Sequence, residues 1–295
     1  MQTLFGKLVL AIISILLIGK VQAQRIYIHL DGGAVNYGGD LQDKLFTLSQ
    51  ANSLFGGGLH YKVSNIISLE ANFSVGKLAA SDAKNDKIGF VRRNLSFYSS
   101  IAEGSLMLHA NLRNVPGNAK FTPYVAAGLA IFHYNPYAYT VTGQKVYLQP
   151  LGTEGQGLPQ YADRKPYSLT QLAIPFGGGL KYALTDNFMI GAEISFRKLF
   201  TDHLDDVSSL RYADTALLRM ARGTLAAKMS FRSDETNNPL DFTANIQRGN
   251  PSRNDAYYSV IFKLYIGLDA LFGSNNNNGF SKRMRQQSNC PPKVL

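Results

Sequence analysis

Eight segments of this chain place apolar residues at every second position, and the connections between them are long and short in strict turn. Ile26, Ile28 and Leu30 alternate with Tyr27, His29 and Asp31, and Phe55, Leu59, Tyr61 and Val63 alternate with glycines, His60 and Lys62. Ile67, Leu69, Ala71, Phe73 and Val75 oppose Ser68, Glu70, Asn72 and Ser74, and Ala102, Leu106, Leu108 and Ala110 oppose Glu103, Ser105, His109 and Asn111. Val125, Leu129 and Ile131 mark a fifth segment, and Ile174, Phe176, Leu180 and Tyr182 a sixth. Ile190, Ala192, Ile194 and Phe196 mark a seventh, and Val260, Phe262, Leu264 and Ile266 an eighth. A period of two is the signature of a strand with one apolar and one polar face.

The connections distinguish a soluble sandwich from a membrane barrel. Those after the first, third, fifth and seventh strands are long, about 38–54, 78–96, 135–167 and 200–256. Those after the second, fourth and sixth are tight and carry turn residues: Ser64-Asn65, Pro116-Gly117-Asn118 and Thr185-Asp186-Asn187. Hydrocarbon offers no partner to backbone N–H and C=O groups, so a sheet that crosses a bilayer must close on itself. With both termini on one side, closure demands an even strand count. The expected fold is all-β: an eight-stranded antiparallel transmembrane β-barrel with long external loops and short periplasmic turns.

An internal repeat agrees with this. Residues 54–78 (LFGGGLHYKVSNIISLEANFSVGKL) align without a gap on 175–199 (PFGGGLKYALTDNFMIGAEISFRKL), offset by 121, with ten identities in 25 positions. The odd offset moves the apolar set from odd to even numbers. Triple glycine in each copy marks a place where the wall bends or a bulky side chain crosses. With no helix after it, it is not a phosphate-binding loop.

Residues 1–23 have the order of a secretory signal peptide, with Lys7 in the n-region, an apolar run over 8–18, and Val21-Gln22-Ala23 before the cleavage point. That run is shorter than the roughly 18–20 residues a spanning helix needs. Removing Lys7 and Lys20 leaves 28 basic against 20 acidic residues, a net +8. The excess does not indicate nucleic acid, because no Lys/Arg-rich run is interleaved with aromatics inside a folded segment. The single cysteine, Cys290, has no disulfide partner and no Cys or His at metal-ligand spacing. No metal site, cofactor or catalytic residue is assigned.

Strand parity points His29, Asp31, His60, Lys62, Glu70, Glu103, His109, Lys181, Glu193, Arg197 and Lys263 into the lumen. An eight-stranded barrel is just wide enough for side chains, so these mixed charges are expected to plug it as an ion-pair and hydrogen-bond network rather than to line a pore. Tyr and Phe near the strand ends, with Tyr in place of the absent Trp, are expected as interfacial girdles. Gly152-Thr153-Glu154-Gly155-Gln156-Gly157 sits in a Pro-bounded connection and reads as a shaped external loop. Asp202, Asp205 and Asp206 lack the spacing of a calcium loop. Residues 214–229 are expected to carry one short amphipathic helix over the barrel mouth. After an Asn-rich linker come Lys282, Arg283, Arg285 and Lys293, with no acidic residue anywhere in 273–295. The chain thus divides into a signal peptide (1–23), an outer-membrane barrel (24–272) and a basic periplasmic tail (273–295). Both termini of the mature chain are expected in the periplasm, and the four basic tail residues are candidates for partner binding.

The longer motifs and their order carry a resemblance. FTPYVAAGLAIFHYN (121–135), LQPLGTEGQG (148–157), YSLTQLAIPFGG (167–178), RKLFTDHLDDVS (197–208) and RGNPSRNDAYY (248–258) resemble the DUF6089-like outer-membrane barrels of Bacteroidota, similar to PorG of the type IX protein secretion and gliding-motility machinery. The resemblance spans nearly all of the mature chain. It implies a non-enzymatic barrel in outer-membrane lipid that contacts the periplasmic ring of that system, a lipoprotein and its partner subunit. It offers no catalytic residue to transfer. Where the family usually carries Trp after Asp-Asp or Asn-Asp, this chain has Ala256-Tyr257. Two other readings stay open. One is a plain structural barrel linking outer membrane to cell wall. The other is a lipid-modifying barrel enzyme, with Ser100 and His133, outward on adjacent strands, as nucleophile and base.

Overall fold

In the computed structural model, residues 26–272 are described apart from 43, 45, 46, 48 and 243–245. The strands are β1 (Ile26–Gly38), β2 (Asn52–Lys62), β3 (Ile67–Ser81), β4 (Ser96–Asn111), β5 (Phe121–Tyr139), β6 (Lys145–Tyr147), β7 (Thr170–Ala183), β8 (Phe188–Leu199) and β9 (Ala256–Gly267). Neighbours pair antiparallel around the sheet, β4 with β5, β5 with β7 and β9 with β1, which closes it into an eight-stranded up-and-down barrel. The short β6 lies outside the closed ring and pairs with the overhang of β5 (Tyr137↔Tyr147, Tyr139↔Lys145). The expected signal peptide (1–23) and the expected basic tail with Lys282, Arg283, Arg285 and Lys293 lie outside the described residues, as does Cys290.

Alternation decides which way each side chain points. Leu129 is 70% exposed and Phe262 68%, and Leu30, Phe55, Phe73, Leu106, Val125 and Leu172 share that outward face, while their chain neighbours are buried or half-buried. An apolar band running round the whole circumference has no place in water and matches hydrocarbon. Outward aromatics edge the band at both ends: Tyr61, Phe121, Tyr182 and Phe188 at the short-turn end, Tyr98, Tyr139 and Tyr147 at the long-loop end.

The repeat is exact in its hydrogen bonding. In one copy the N–H groups of Val63 and Ser64 both donate to the Ile67 carbonyl (3.0 Å each), and Ser64 Oγ accepts from Ile67. One repeat later Leu184 and Thr185 donate to the Phe188 carbonyl (2.9 and 3.1 Å), and Thr185 Oγ1 accepts from Phe188. The glycines have a common cause too. A Cβ on Gly58 would run into the Ala71 carbonyl, and one on Gly179 into the Ala192 carbonyl and, at 2.8 Å, the Tyr124 hydroxyl. Wall curvature and an overlying ring thus both demand glycine there.

The loops depart from expectation in three places. The single helix expected over 214–229 is two helices, α2 (Thr215–Arg222) and α3 (Thr224–Ser230), because Gly223 at φ 91° breaks the helical path. Asp214 caps α2, its carboxylate accepting from the N–H groups of Ala216 (2.7 Å) and Leu217 (3.2 Å). The connection after β3 carries an unforeseen helix, α1 (Ile88–Arg93), and β5 continues past the wall to form the β5–β6 hairpin. That hairpin is held by rings, with Tyr98 stacked on Tyr137 (5.7 Å) and the Lys145 ammonium 3.8 Å above Tyr137. A last helix, α4 (Leu268–Phe272), follows β9.

Candidate functional site: a filled lumen and its loop cap

The lumen is occupied in layers. Nearest the short turns, Tyr27 and Met189 on the wall meet Val115 from the 112–120 connection, and the half-buried Lys62 donates to Asn114 Oδ1 (3.0 Å) and the Pro116 carbonyl (3.1 Å). Above them lies a polar layer centred on Glu70. Lys263 Nζ is 2.5 Å from Glu70 Oε1 and 2.9 Å from Glu193 Oε2. His60 Nδ1 is 3.0 Å from Glu70 Oε2, and Tyr124 donates to Glu193 (2.7 Å). His29 Nδ1 pairs with Asp31 Oδ1 (2.8 Å), and Lys181 sits 3.2 Å from His109 Nδ1 and 3.3 Å from Asn111 Oδ1. A third layer is the bidentate pair Arg197–Glu103 (3.1 and 3.2 Å), with Arg197 also donating to Ser259 Oγ (2.6 Å) and Tyr257 to Glu103. The structure therefore brings His29, Asp31, His60, Glu70, His109, Lys181, Glu193 and Lys263 together, and sets Glu103 and Arg197 one layer higher. All ten are buried.

The upper lumen is apolar and aromatic, with Phe97, Phe132, Tyr134 and Ile261 packed against Leu41, Leu204, Val207 and Met229 from the loops. Over it the loops lock into a cap. Glu154, in the glycine-rich loop, accepts from the N–H groups of Ser208 (2.9 Å) and Ser209 (2.8 Å) and from the guanidinium of Arg248. Arg248, 1% exposed, also donates to the Asp206 carbonyl (3.0 Å) and Thr153 (3.3 Å). Asp206 in turn accepts from Thr153 (2.5 Å) and Tyr167 (2.7 Å). Arg93 clamps Asp82 through two bonds (2.7 and 2.8 Å) and donates to the carbonyls of Asp40 and Arg248, tying three loops to one side chain. Asp206 turns to Thr153 and Tyr167, and Asp205 to Tyr37, so these two carboxylates do not converge on one ion.

Charge in the cap is held unusually. Burial would raise Glu154, but Arg248 and the two serine amides outweigh it and hold its carboxyl below the ordinary value. Elsewhere burial wins. Asp202 is pushed up to about 9 and Asp205 well above the carboxylate range, chiefly by burial and then by the charges of Asp255 and Asp40. Asp255 is pushed up to about 8, again chiefly by burial. Tyr37, with one hydroxyl proton, faces both Asp205 Oδ2 (2.5 Å) and Asp255 Oδ1 (3.0 Å), and a proton kept on one carboxyl supplies the second bond.

Sequence reasoning missed Arg248, Arg93, Asp82 and Tyr37 as organising groups. A signal for Arg248 existed: three of the motifs, 148–157, 197–208 and 248–258, supply Glu154, Asp205 with Asp206, and Arg248 with Asp255 to this one cap.

A closed antiparallel meander of eight strands, apolar outside and filled with side chains within, defines a membrane β-barrel of the outer-membrane type. Within that class the chain belongs to the DUF6089 family (domain of unknown function), whose family model matches residues 6–228. Among solved structures it is similar to the Neisserial surface protein A, NspA, at 10% identity and TM-score 0.42, over 82% of this chain and 96% of that one. It is also similar to Ail, the attachment invasion locus protein of Yersinia pestis (9%, TM-score 0.38, 82% and 97%) and to the outer membrane protein OprG from Pseudomonas aeruginosa (9%, TM-score 0.33, 82% and 93%). No curated protein matches it.

Proposed function

We propose that this barrel is a non-enzymatic, PorG-like component of the type IX protein secretion and gliding machinery of Bacteroidota, contacting that machine's periplasmic ring. The filled lumen is the observation that supports this most. With the Glu70 and Glu103 layers packed and the cap locked by Arg248, the working surfaces of the molecule are its two ends and its outer wall. In this reading the long loops face outside and both mature termini lie in the periplasm, where Lys282, Arg283, Arg285 and Lys293 meet the ring lipoprotein and its partner subunit.

A lipid-modifying reading gains nothing from the wall. Ser100 is opposite Asn135 and His133 opposite Ala102, and His133 Nδ1 turns to Thr170 Oγ1 at 3.0 Å. Lipid A mass spectra are expected to be unchanged by Ser100→Ala or His133→Ala.

The test is affinity purification of the tagged, full-length barrel from gently solubilised outer membranes, with mass spectrometry of what accompanies it. Recovery of the ring lipoprotein, lost when 273–295 is deleted while the barrel keeps its heat-modifiable mobility, is the expected result. A barrel recovered without any ring component overturns the secretion role and favours a structural link to the wall. Capture that survives the deletion removes the tail from the interaction.

A further inference from the structure

Four adjacent strands bring three imidazoles to one carboxylate. His60 on β2 stands directly across from Glu70 on β3, His109 on β4 is across from Ser68, one inward position away, and His29 on β1 is across from Gly58. His60 Nδ1 lies 3.0 Å from Glu70 Oε2, and His109 Nε2 and His29 Nε2 lie 3.7 and 3.9 Å from Glu70 Oε1. One ligand atom each from His60, Glu70 and His109 falls within 4.8 Å of the other two. Zinc–ligand bonds of about 2.0–2.2 Å need only side-chain shifts on the order of 1 Å from this arrangement.

A second observation points to a missing occupant. His29 Nε2, His109 Nε2 and Asp31 Oδ2 are buried and make no hydrogen bond within the protein. Unsatisfied buried polar atoms are costly, and the two imidazole nitrogens, both within 4 Å of Glu70 Oε1, call for a common partner. Within the fully buried part of this layer, three carboxylates (Asp31, Glu70, Glu193) face two ammonium groups (Lys181, Lys263). The bond from His29 Nδ1 to Asp31 is, moreover, the carboxylate–imidazole arrangement that orients a metal-binding histidine.

We propose that this layer of the lumen binds one divalent cation of the Zn²⁺ kind through His60, His109 and Glu70, with His29 completing a tetrahedral set and Asp31 positioning it. Nitrogen-rich sites with one carboxylate suit zinc better than calcium or magnesium. The two lysines have alternative partners when the metal enters. Lys263 keeps Glu193 at 2.9 Å as Glu70 turns to the ion. Lys181 moves its donation from His109 Nδ1 to Asn111 Oδ1, which frees Nδ1 to carry the proton while Nε2 ligates. The site is closed, so its role is structural: it ties β1, β2, β3 and β4 together through their side chains. Its ligands come from four strands, and no sequence spacing announces it.

The experiment uses the full-length mature protein folded into detergent with Zn²⁺ present, then freed of unbound metal by gel filtration. Close to one zinc per chain is expected by elemental analysis, and folding with Co²⁺ gives the visible absorption of a tetrahedral site. His60→Gln and His109→Gln each lower the retained zinc more than about tenfold, Asp31→Asn weakens binding by about 10–100-fold, and Ser195→Ala retains it. Heat-modifiable mobility shows that each variant has closed. Wild-type barrel that retains no zinc, or histidine variants that retain as much as wild type, overturns the proposal and leaves ordered water as the partner of these atoms.

Discussion

At the scale of the residue, the pairing of buried charge governs what the interior tolerates. Glu103 accepts two bonds from Arg197 and one from Tyr257, and all three are buried. Glu103→Ala leaves a guanidinium without a counter-charge, at a cost of about 3–5 kcal/mol, to be read as a lower urea midpoint for folding into vesicles. The double variant Glu103→Leu, Arg197→Met recovers most of that loss. On the outer face Leu129→Arg costs about 2–4 kcal/mol near the bilayer midplane, measured in the same way. Both sites are legible in the sequence because period two assigns every wall residue to lipid or lumen. Arg248 is buried as deeply but lies beyond the reach of the period, since its partners Glu154 and Asp206 come from loops that have none and meet only in three dimensions; the three loop motifs are the one sequence signal that marks it.

Elements show where pattern and packing part company. The two glycine-bearing hairpins were readable as a repeat, and their collisions with the Ala71 and Ala192 carbonyls explain why glycine is needed in both. Gly58→Leu or Gly179→Leu is expected to abolish the heat-modifiable band on gels. The loop helices were readable only in outline, because apolar spacing over 214–229 continues straight through Gly223 while the backbone does not. The cap they help build carries its own pH dependence. An acid whose folded-state pKa is raised binds its proton more tightly when folded, so the stability it contributes is full below the ordinary carboxylate value and falls as pH rises through the raised one. With Asp255 at about 8 and Asp202 at about 9, protease cleavage within 200–255, normalised to an unfolded control, should accelerate progressively from about pH 4, the ordinary carboxylate value, up to these raised values and level off above them. Asp202→Asn flattens the profile, and the strands keep their heat-modifiable mobility throughout.

For the whole molecule, side-chain layers stacked beneath a locked cap mean that removing one obstruction exposes the next. Planar-bilayer recordings of the wild type, and of Glu154→Ala with its cap unlocked, are both expected to show no steady conductance; a stable open level in either would mean that the Glu103 and Glu70 layers do not fill the bore. The seam of the barrel has a different consequence, one of timing. β1 pairs with β9 from Tyr27↔Gly267 to Gly38↔Ala256, so the strand made first waits for the strand made last. The stretch that the family model matches stops at residue 228, before β9 begins. A polypeptide cut there would be a sheet with two raw edges, able to close only by borrowing a strand. Until residue 267 has been delivered, whatever escorts this chain to its membrane must shield those edges itself.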